Sequence, residues 1–283
     1  MEYSVLMSVY HREKPEYLRE SMQSIADQTC PTDDFILVCD GPLGPELDAV
    51  IKEMQLHFGD ALHVIRYPEN RGLGYALNKG LGQCRHEYIV RMDSDDISYP
   101  ERCEQELRVI EEKGVDVVSA AVAEFDGSTD NVDVIRMPPE THEEILEFAK
   151  RRNPFNHPCS IYRKSAVMAA GGYQDFYLLE DYYLWVRMLL NGAKGYNIQY
   201  PLLWMRAGTE MYRRRSGFAY AKTQRNLFRY MLDRRFISRG NYICSCVIRT
   251  ASACSPNWIR EGLFKMLLRK NPERVRSGPV KFL

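Results

Sequence analysis

Two periodicities alternate along roughly the first 120 residues of the chain. Short apolar runs at 5–9, 35–39, 62–65, 88–90 and 115–122 read as buried strands. Between them apolar residues recur three and four apart. Leu18, Met22, Ile25 and Ala26 mark a helix over 15–28, with Pro15 near its first turn. Leu47, Val50, Ile51, Met54 and Phe58 mark a second, 73–81 a short third, and Cys103, Leu107 and Ile110 a fourth over 100–113. Strand and helix in strict alternation predict an α/β fold, with a mainly parallel sheet flanked by helices.

Beyond about residue 123 the pattern becomes irregular. Asp126-Gly127-Ser128 reads as a turn within a hairpin, and Met137-Pro138-Pro139 as a break. Thr141 followed by Glu144 predicts a capped helix over 141–150. Asn153-Pro154 and His157-Pro158 predict a loop, and 179–190 a helix that ends at Asn191-Gly192. The last part reads as helices broken near Gly240 and Pro256.

Composition adds little until charge is followed along the chain. The 45% hydrophobic and 27% charged residues suit a soluble chain with a real core, and no apolar run approaches the ~18 residues of a membrane span. The eight cysteines form no CxxC pairs and are too sparse for a disulfide scaffold, so they read as reduced and mostly buried. With no basic leader before the first strand, this predicts a cytoplasmic protein. The net charge of zero conceals a division. Residues 206–283 hold 18 Lys+Arg against 4 Asp+Glu, which leaves 20 against 34 in 1–205. The basic part either faces an anionic partner or packs on the acidic body. Within it, Ile259, Leu263, Met266 and Leu267 share one helical face flanked by Arg260, Lys265, Arg269 and Lys270. That pattern suits an anionic membrane surface or docking on the core.

In an open α/β sheet, ligands bind at the carboxyl ends of the parallel strands. The residues that follow the strands are Tyr10-His11-Arg12, Asp40-Gly41-Pro42, the stretch Pro68 to Gly74, and Asp93-Ser94-Asp95-Asp96. Gly72-Leu73-Gly74 lacks the third glycine of a dinucleotide loop, since residue 77 is leucine, and no P-loop exists. Three carboxylates in four positions repel one another unless water or a cation lies between them. Two aspartates one residue apart offer hard oxygen ligands to Mg²⁺ or Mn²⁺, and a diphosphate can complete the octahedron. The plainer reading is a solvated turn before the helix at Pro100.

Taken together, SVLMSVYHR, VCDGP, NRGLGYALNKG, RMDSDD and LLEDYYLWVRMLLNG resemble, in order and spacing, the family 2 glycosyltransferases over about residues 3–215. The second half, NPFNHPCSIYRKSAV and onward, is most similar to enzymes of bacterial capsule, exopolysaccharide and O-antigen assembly. The resemblance implies a GT-A fold and inverting transfer from a nucleotide sugar, with UDP-glucose or UDP-galactose as donor. It implies a nucleotide-sugar half over 1–122 and an acceptor half over 123–205, and the residues that follow read as a basic helical extension over 206–283. The acceptor would be a saccharide, carried on a lipid diphosphate at the inner face of the cell membrane.

Residue by residue, Asp40 would contact the uracil, with Cys39 where the family often has another acid. Tyr10 would line the base pocket and Arg71 would touch the base or its phosphates. Asp93 would hold ribose or sugar hydroxyls, Asp95 a Mn²⁺ or Mg²⁺ ion bridging the phosphates, and Asp181 would be the general base. Read from the residues alone, Asp181 is a plain N-cap. His157 is a third metal ligand, a diphosphate contact or a structural histidine. Arg214 and Arg215, with Tyr212 and Arg213, close over a diphosphate or form a solvated turn. Two other classes remain at this point. A sugar-phosphate nucleotidyltransferase would want a glycine-rich loop where Tyr10 to Pro15 stand. A nucleic-acid-binding module would leave the acidic motifs unexplained, so no nucleic-acid partner is expected.

Overall fold

The computed structural model describes residues 1–207 and 217–254. The strands are β1 (Tyr3–Val9), β2 (Asp34–Cys39), β3 (Leu62–Arg66), β4 (Tyr88–Asp93), β5 (Ile97–Ser98), β6 (Val117–Phe125), β7 (Val132–Arg136), β8 (Ser160–Arg163) and β9 (Gly195–Arg206). The α-helices are α1 (Pro15–Ala26), α2 (Pro45–Phe58), α3 (Leu73–Leu81), α4 (Arg102–Lys113), α5 (His142–Ala149), α6 (Lys164–Ala169), α7 (Glu180–Leu190), α8 (Phe218–Asp233) and α9 (Arg239–Cys254). One sheet takes the order β3-β2-β1-β4-β8-β6-β9-β5, with β7 paired to β6. β3, β2, β1 and β4 run parallel, as do β6 and β9, and β8 lies antiparallel between β4 and β6. The α/β fold class and flanking helices are those expected.

Each strand of the first set is apolar because both of its faces are covered. Val5, Met7, Leu37 and Val90 pack against α1, α2 and α4, and Leu6, Ile36, Val38 and Ile89 against α3 and α7. α3 comes unusually close. A Cβ at Gly80 would lie 2.4 Å from Leu6 Cδ1 and 2.7 Å from Val38 Cγ2. Glycine normally weakens a helix interior, so Gly80 is there for proximity. Gly80→Val is expected to cost about 1–3 kcal/mol by overpacking, outweighing the gain in helix propensity. Urea melts check this, through a lower midpoint at unchanged slope.

The structure extends or adds to the sequence reading in four places. β4 continues through Arg91 to Asp93, so the carboxylate cluster begins inside a strand. Arg91 stopped the apolar run, yet it is fully buried. β8 and α6 fall where the periodicity gives no clear signal. β9 contains Pro201, which argues against an interior strand. A bulge accommodates it: the register against β6 slips between Ala120↔Ile198 and Ala121↔Pro201. The 126–128 turn joins β6 to β7, and α5 has the expected capping box of Thr141 and Glu144.

Candidate functional site

Register places the rim. Val9 pairs with Cys39, Cys39 with Arg66, and Ser8 with Asp93, so the strands release Tyr10, Asp40, Tyr67 and the aspartate loop at one edge. Asp40 is buried and organises the loop that follows β3. Its Oδ1 accepts from the Tyr67 hydroxyl at 2.8 Å and the Arg71 amide at 2.7 Å, and its Oδ2 from the Gly72 amide at 3.0 Å. Gly41, at φ +84°, lets the two loops touch: a Cβ there would sit 2.6 Å from the Asn70 nitrogen. The Arg71 guanidinium lies 3.9 Å over the Tyr75 ring, and Tyr75 meets Tyr67 edge-on at 5.4 Å. Tyr10 is half-buried against His11 across the rim. A Cβ at Gly74 would lie 3.2 Å from the Gln174 carbonyl oxygen, closer than an ordinary contact. The glycine pair therefore turns the chain into α3 and makes room for the backbone that leads to α7.

Asp93, Asp95 and Asp96 each offer one oxygen within 4.8 Å of the others. Burial first, then Asp93 and Glu13, push the Asp95 carboxyl up to about 7. Burial and its two neighbours likewise push Asp96 well up, although the Arg206 amide donates to its Oδ1 at 2.8 Å. Two carboxyls that resist ionisation through burial and then through neighbouring charge, in an all-oxygen set, fit a hard divalent cation. The loop is held from several sides. Ser21 donates to the Asp93 carbonyl at 2.7 Å and Ser94 to Glu13 at 2.6 Å. Arg206 donates to the Asp95 carbonyl at 3.0 Å and to Glu20 at 2.7 Å, and its guanidinium lies 3.8 Å over Tyr17. Buried Arg102 donates to the Arg91 carbonyl at 2.6 Å and to Ser98 at 3.1 Å, and is paired with Glu106.

Beneath the loop lies Arg91. Its Nη1 forms an ion pair with Asp93 without hydrogen-bond alignment, and Nε and Nη2 find no hydrogen-bond partner among the described residues. Tyr173 and His157 share its surroundings. The Tyr173 hydroxyl meets His157 Nε2 at 2.9 Å and the Tyr162 hydroxyl at 3.1 Å. Burial, and then Arg91, pull the ionisation of His157 well down, so this imidazole is neutral. His157 is not part of the carboxylate group; the structure brings it to Tyr173 instead.

Across the site stands the start of α7. Asp181 is its second residue, and the N-cap is Leu179, so the capping reading does not hold. Asp181 Oδ2 accepts from Asn153 Nδ2 at 2.6 Å and Oδ1 from the Tyr182 amide at 2.6 Å. The turn into the helix carries Leu178 at φ 59°, an uncommon conformation for leucine and a form of strain that gathers at functional sites. Glu180 sits within the electrostatic reach of Asp181, Arg91 and Asp93. Burial first, and Asp181 second, push its carboxyl up to about 7. A carboxyl held more tightly protonated in the native than in the unfolded chain is harmless in acid. It opposes folding as pH rises from about 4.5 toward 7. Glu180→Gln is therefore expected to raise the Tm at pH 8 by about 2–4 °C and to leave it unchanged near pH 4. Thermal melts without added cation check this, and a lower Tm at pH 8 would show that the ionised form is structurally needed.

Sequence reasoning missed Arg91, Arg206, Glu13 and Asn153. Only Arg91 carried a signal, as a charge two residues before Asp93 on the same strand face. Arg214, Arg215 and the amphipathic stretch 259–270 lie outside the described residues. Among the described residues the cysteines are free, and no helix is long and apolar enough to cross a membrane.

Comparison with known proteins gives a consistent outcome. The family model described as glycosyl transferase family 2 matches residues 4–171. The UDP-Gal:alpha-D-GlcNAc-diphosphoundecaprenol beta-1,3-galactosyltransferase of Escherichia coli is 35% identical over 95% of this chain and 97% of its own. The amylovoran biosynthesis glycosyltransferase AmsE of Erwinia amylovora is 37% identical, over 93% and 98%. Among solved structures, S. aureus TarS in complex with UDP-GlcNAc superposes with a TM-score of 0.67 at 19% identity, covering 97% of this chain and 78% of that one.

Proposed function

The chain belongs to glycosyl transferase family 2 and is a glycosyltransferase of the surface-polysaccharide type, and from that premise we propose that it moves a hexose from UDP-glucose or UDP-galactose, with inversion, to a sugar borne on a lipid diphosphate. One observation carries this reading: three mutually repelling carboxylates within 4.8 Å at the strand ends, facing the start of α7. The named activity of the E. coli relative, a UDP-galactose donor and a diphosphoundecaprenol acceptor, supports donor and acceptor class.

The residues divide the work. Tyr10 and Arg71 would line the base site, with the Tyr67–Tyr75 pair beside Arg71. Asp40 fixes the Arg71–Gly72 backbone, which leaves Gly72 free to turn into α3. The carboxylates of Asp93, Asp95 and Asp96 would hold Mn²⁺ or Mg²⁺, which when bound offsets charge on the leaving diphosphate. Arg91 pairs with Asp93 from beneath the loop, and His157 stays with Tyr173. Asp181 takes the proton of the acceptor hydroxyl as that oxygen forms its bond to the anomeric carbon and the carbon–diphosphate bond breaks on the opposite face. Asp181 lies in the first turn of α7, where the helix dipole attracts negative charge. Two hydrogen bonds fix its orientation. The enzyme would work at the inner face of the cell membrane, held there by its basic C-terminal part.

The test is a panel of UDP-, GDP- and dTDP-sugars, each assayed for slow hydrolysis and for binding by calorimetry, with Mn²⁺ or with EDTA. Cation-dependent binding and turnover of one UDP-hexose are expected. Absence of any cation-dependent nucleotide binding would sink the reading.

A further inference from the structure

The segment leaving α5 passes directly beside Asp181, and three consecutive residues in it behave differently. The Arg151 carbonyl accepts a hydrogen bond from the Arg249 guanidinium of α9. Asn153 holds Asp181. Between them, Arg152 carries a half-buried guanidinium that has no hydrogen-bond or ion-pair partner among the described residues. It lies instead in the field of Arg249, which is fixed 4.7 Å over the Phe228 ring. Burial, and then Arg249, pull the ionisation of Arg152 down. Arg249 is anchored at the carbonyl of the residue before Arg152, so the two guanidinium groups repel, and no carboxylate among the described residues pairs with Arg152. The logic that applies to the aspartate loop applies here with the signs reversed. A like-charge pair held by the scaffold is a site for the opposite charge.

We propose that Arg152 and Arg249 form an anion site for the diphosphate of the acceptor, one residue removed from the Asn153–Asp181 hydrogen bond. Guanidinium forks match phosphate oxygens in pairs, and a diphosphate spans two forks. The position fits the acceptor and not the donor, because Arg152 adjoins Asn153, which holds Asp181, and not the aspartate loop. The same helix indicates what lies beyond the diphosphate. α9 turns Arg249 toward Phe228 and Arg151 while Ile243, Val247 and Ile248 stand 61%, 63% and 61% exposed. That apolar outer face suits the hydrocarbon chain of a lipid diphosphate. Contact of both arginines with the acceptor would make them specificity residues for lipid-linked sugars.

The inference rests on the diphosphate-linked acceptor proposed above, so the experiment separates the two. Full-length wild type, Arg152→Gln and Arg249→Gln are titrated with a short isoprenyl diphosphate and, separately, with UDP and Mn²⁺. The same proteins are assayed for transfer to a GlcNAc-diphosphate lipid and to a neutral alkyl GlcNAc. Isoprenyl diphosphate is expected to bind wild type and to lose about 10- to 100-fold in affinity in each variant, the effect of losing a charge-assisted hydrogen bond. UDP binding stays unchanged. The acceptor KM rises by a similar factor for the diphosphate-linked sugar alone. Arg152→Gln should also melt at the same temperature as wild type or higher, because it relieves repulsion; a lower Tm would mark the residue as structural and overturn the assignment. Wild type that ignores isoprenyl diphosphate overturns it too, as does UDP binding that falls in parallel. Arginine-dependent diphosphate binding without transfer from any donor leaves the anion site standing and removes the proposed reaction instead.

Discussion

Asp181→Asn is expected to lower kcat by about 10²–10⁴-fold with donor KM near the wild-type value. The reason is local. Both oxygens of Asp181 accept hydrogen bonds, one from Asn153 and one from the Tyr182 amide. An amide at this position puts an NH₂ group against one of those donors and removes the charge that takes the proton. The proposed donor residues stand on other elements than α7, so nucleotide binding should be preserved. Asn153→Ala supplies the graded comparison. It keeps the carboxylate but frees its orientation, and a loss of about tenfold is expected, in kcat and not in donor KM. Steady-state assays with the acceptor saturating measure both. If Asp181→Asn keeps kcat within about threefold of wild type, proton transfer belongs elsewhere, and Glu180 is the next carboxylate to replace.

Asp95→Ala is expected to abolish the dependence on Mn²⁺ together with most of the turnover, a loss of about 10²–10³-fold or more. EDTA should bring wild type down to the level of the variant and leave the variant itself unchanged. The raised affinity of Asp95 for protons adds a second signature. Cation and proton compete for the same oxygens, so the Mn²⁺ affinity of wild type should climb through pH 6 to 7, as the carboxyl near 7 gives up its proton, and flatten above. Competition for one site predicts up to about tenfold per pH unit on the acid side. A thermal-shift titration at several pH values reads this directly. A wild-type response to Mn²⁺ that is flat with pH would place the ion away from Asp95.

Much of the first half was legible because buried parallel strands leave an unambiguous trace. Val5 to Val9 and Phe35 to Cys39 are apolar without interruption, and the residues after each strand could be collected as one rim before any coordinates existed. The aspartate loop, Asp40 and the Glu180-Asp181 pair came from that reading together with the family resemblance. What escaped was of two kinds. Short or interrupted strands give little signal: Ser160–Arg163 spans four residues, and the proline of Gly195–Arg206 argues against the strand that its bulge accommodates. The residues that support the site from behind were also hidden. Arg91, Arg102 and Arg206 are charged side chains under or against the loop, and apart from the spacing of Arg91 to Asp93 nothing in the sequence distinguishes a buried arginine from a solvated one. Only the paired strands and the hydrogen bonds of Ser98, Asp95 and Glu20 give them roles. The meaning of Gly74 was open for the same reason, because its neighbour Gln174 is far along the chain.

The antiparallel strand between the two parallel sets bears on how the protein is made. β1 to β4 are complete once Asp93 has been synthesised, and each of them pairs only with the others up to that point. The open side of β4 is later covered by β8, whose residues Ser160–Arg163 come much further along the chain. At roughly 5–20 residues per second, the ribosome leaves that edge bare for several seconds. During this interval the nascent chain carries an apolar strand with free backbone donors and acceptors, the condition in which chains add to one another's sheets. Chaperone dependence in rapid overexpression, and insolubility of products that stop short of residue 163, are the practical consequences. The centre of the sheet thus closes well after its first four strands, and β9, which brings Arg206 to the aspartate loop, joins later still.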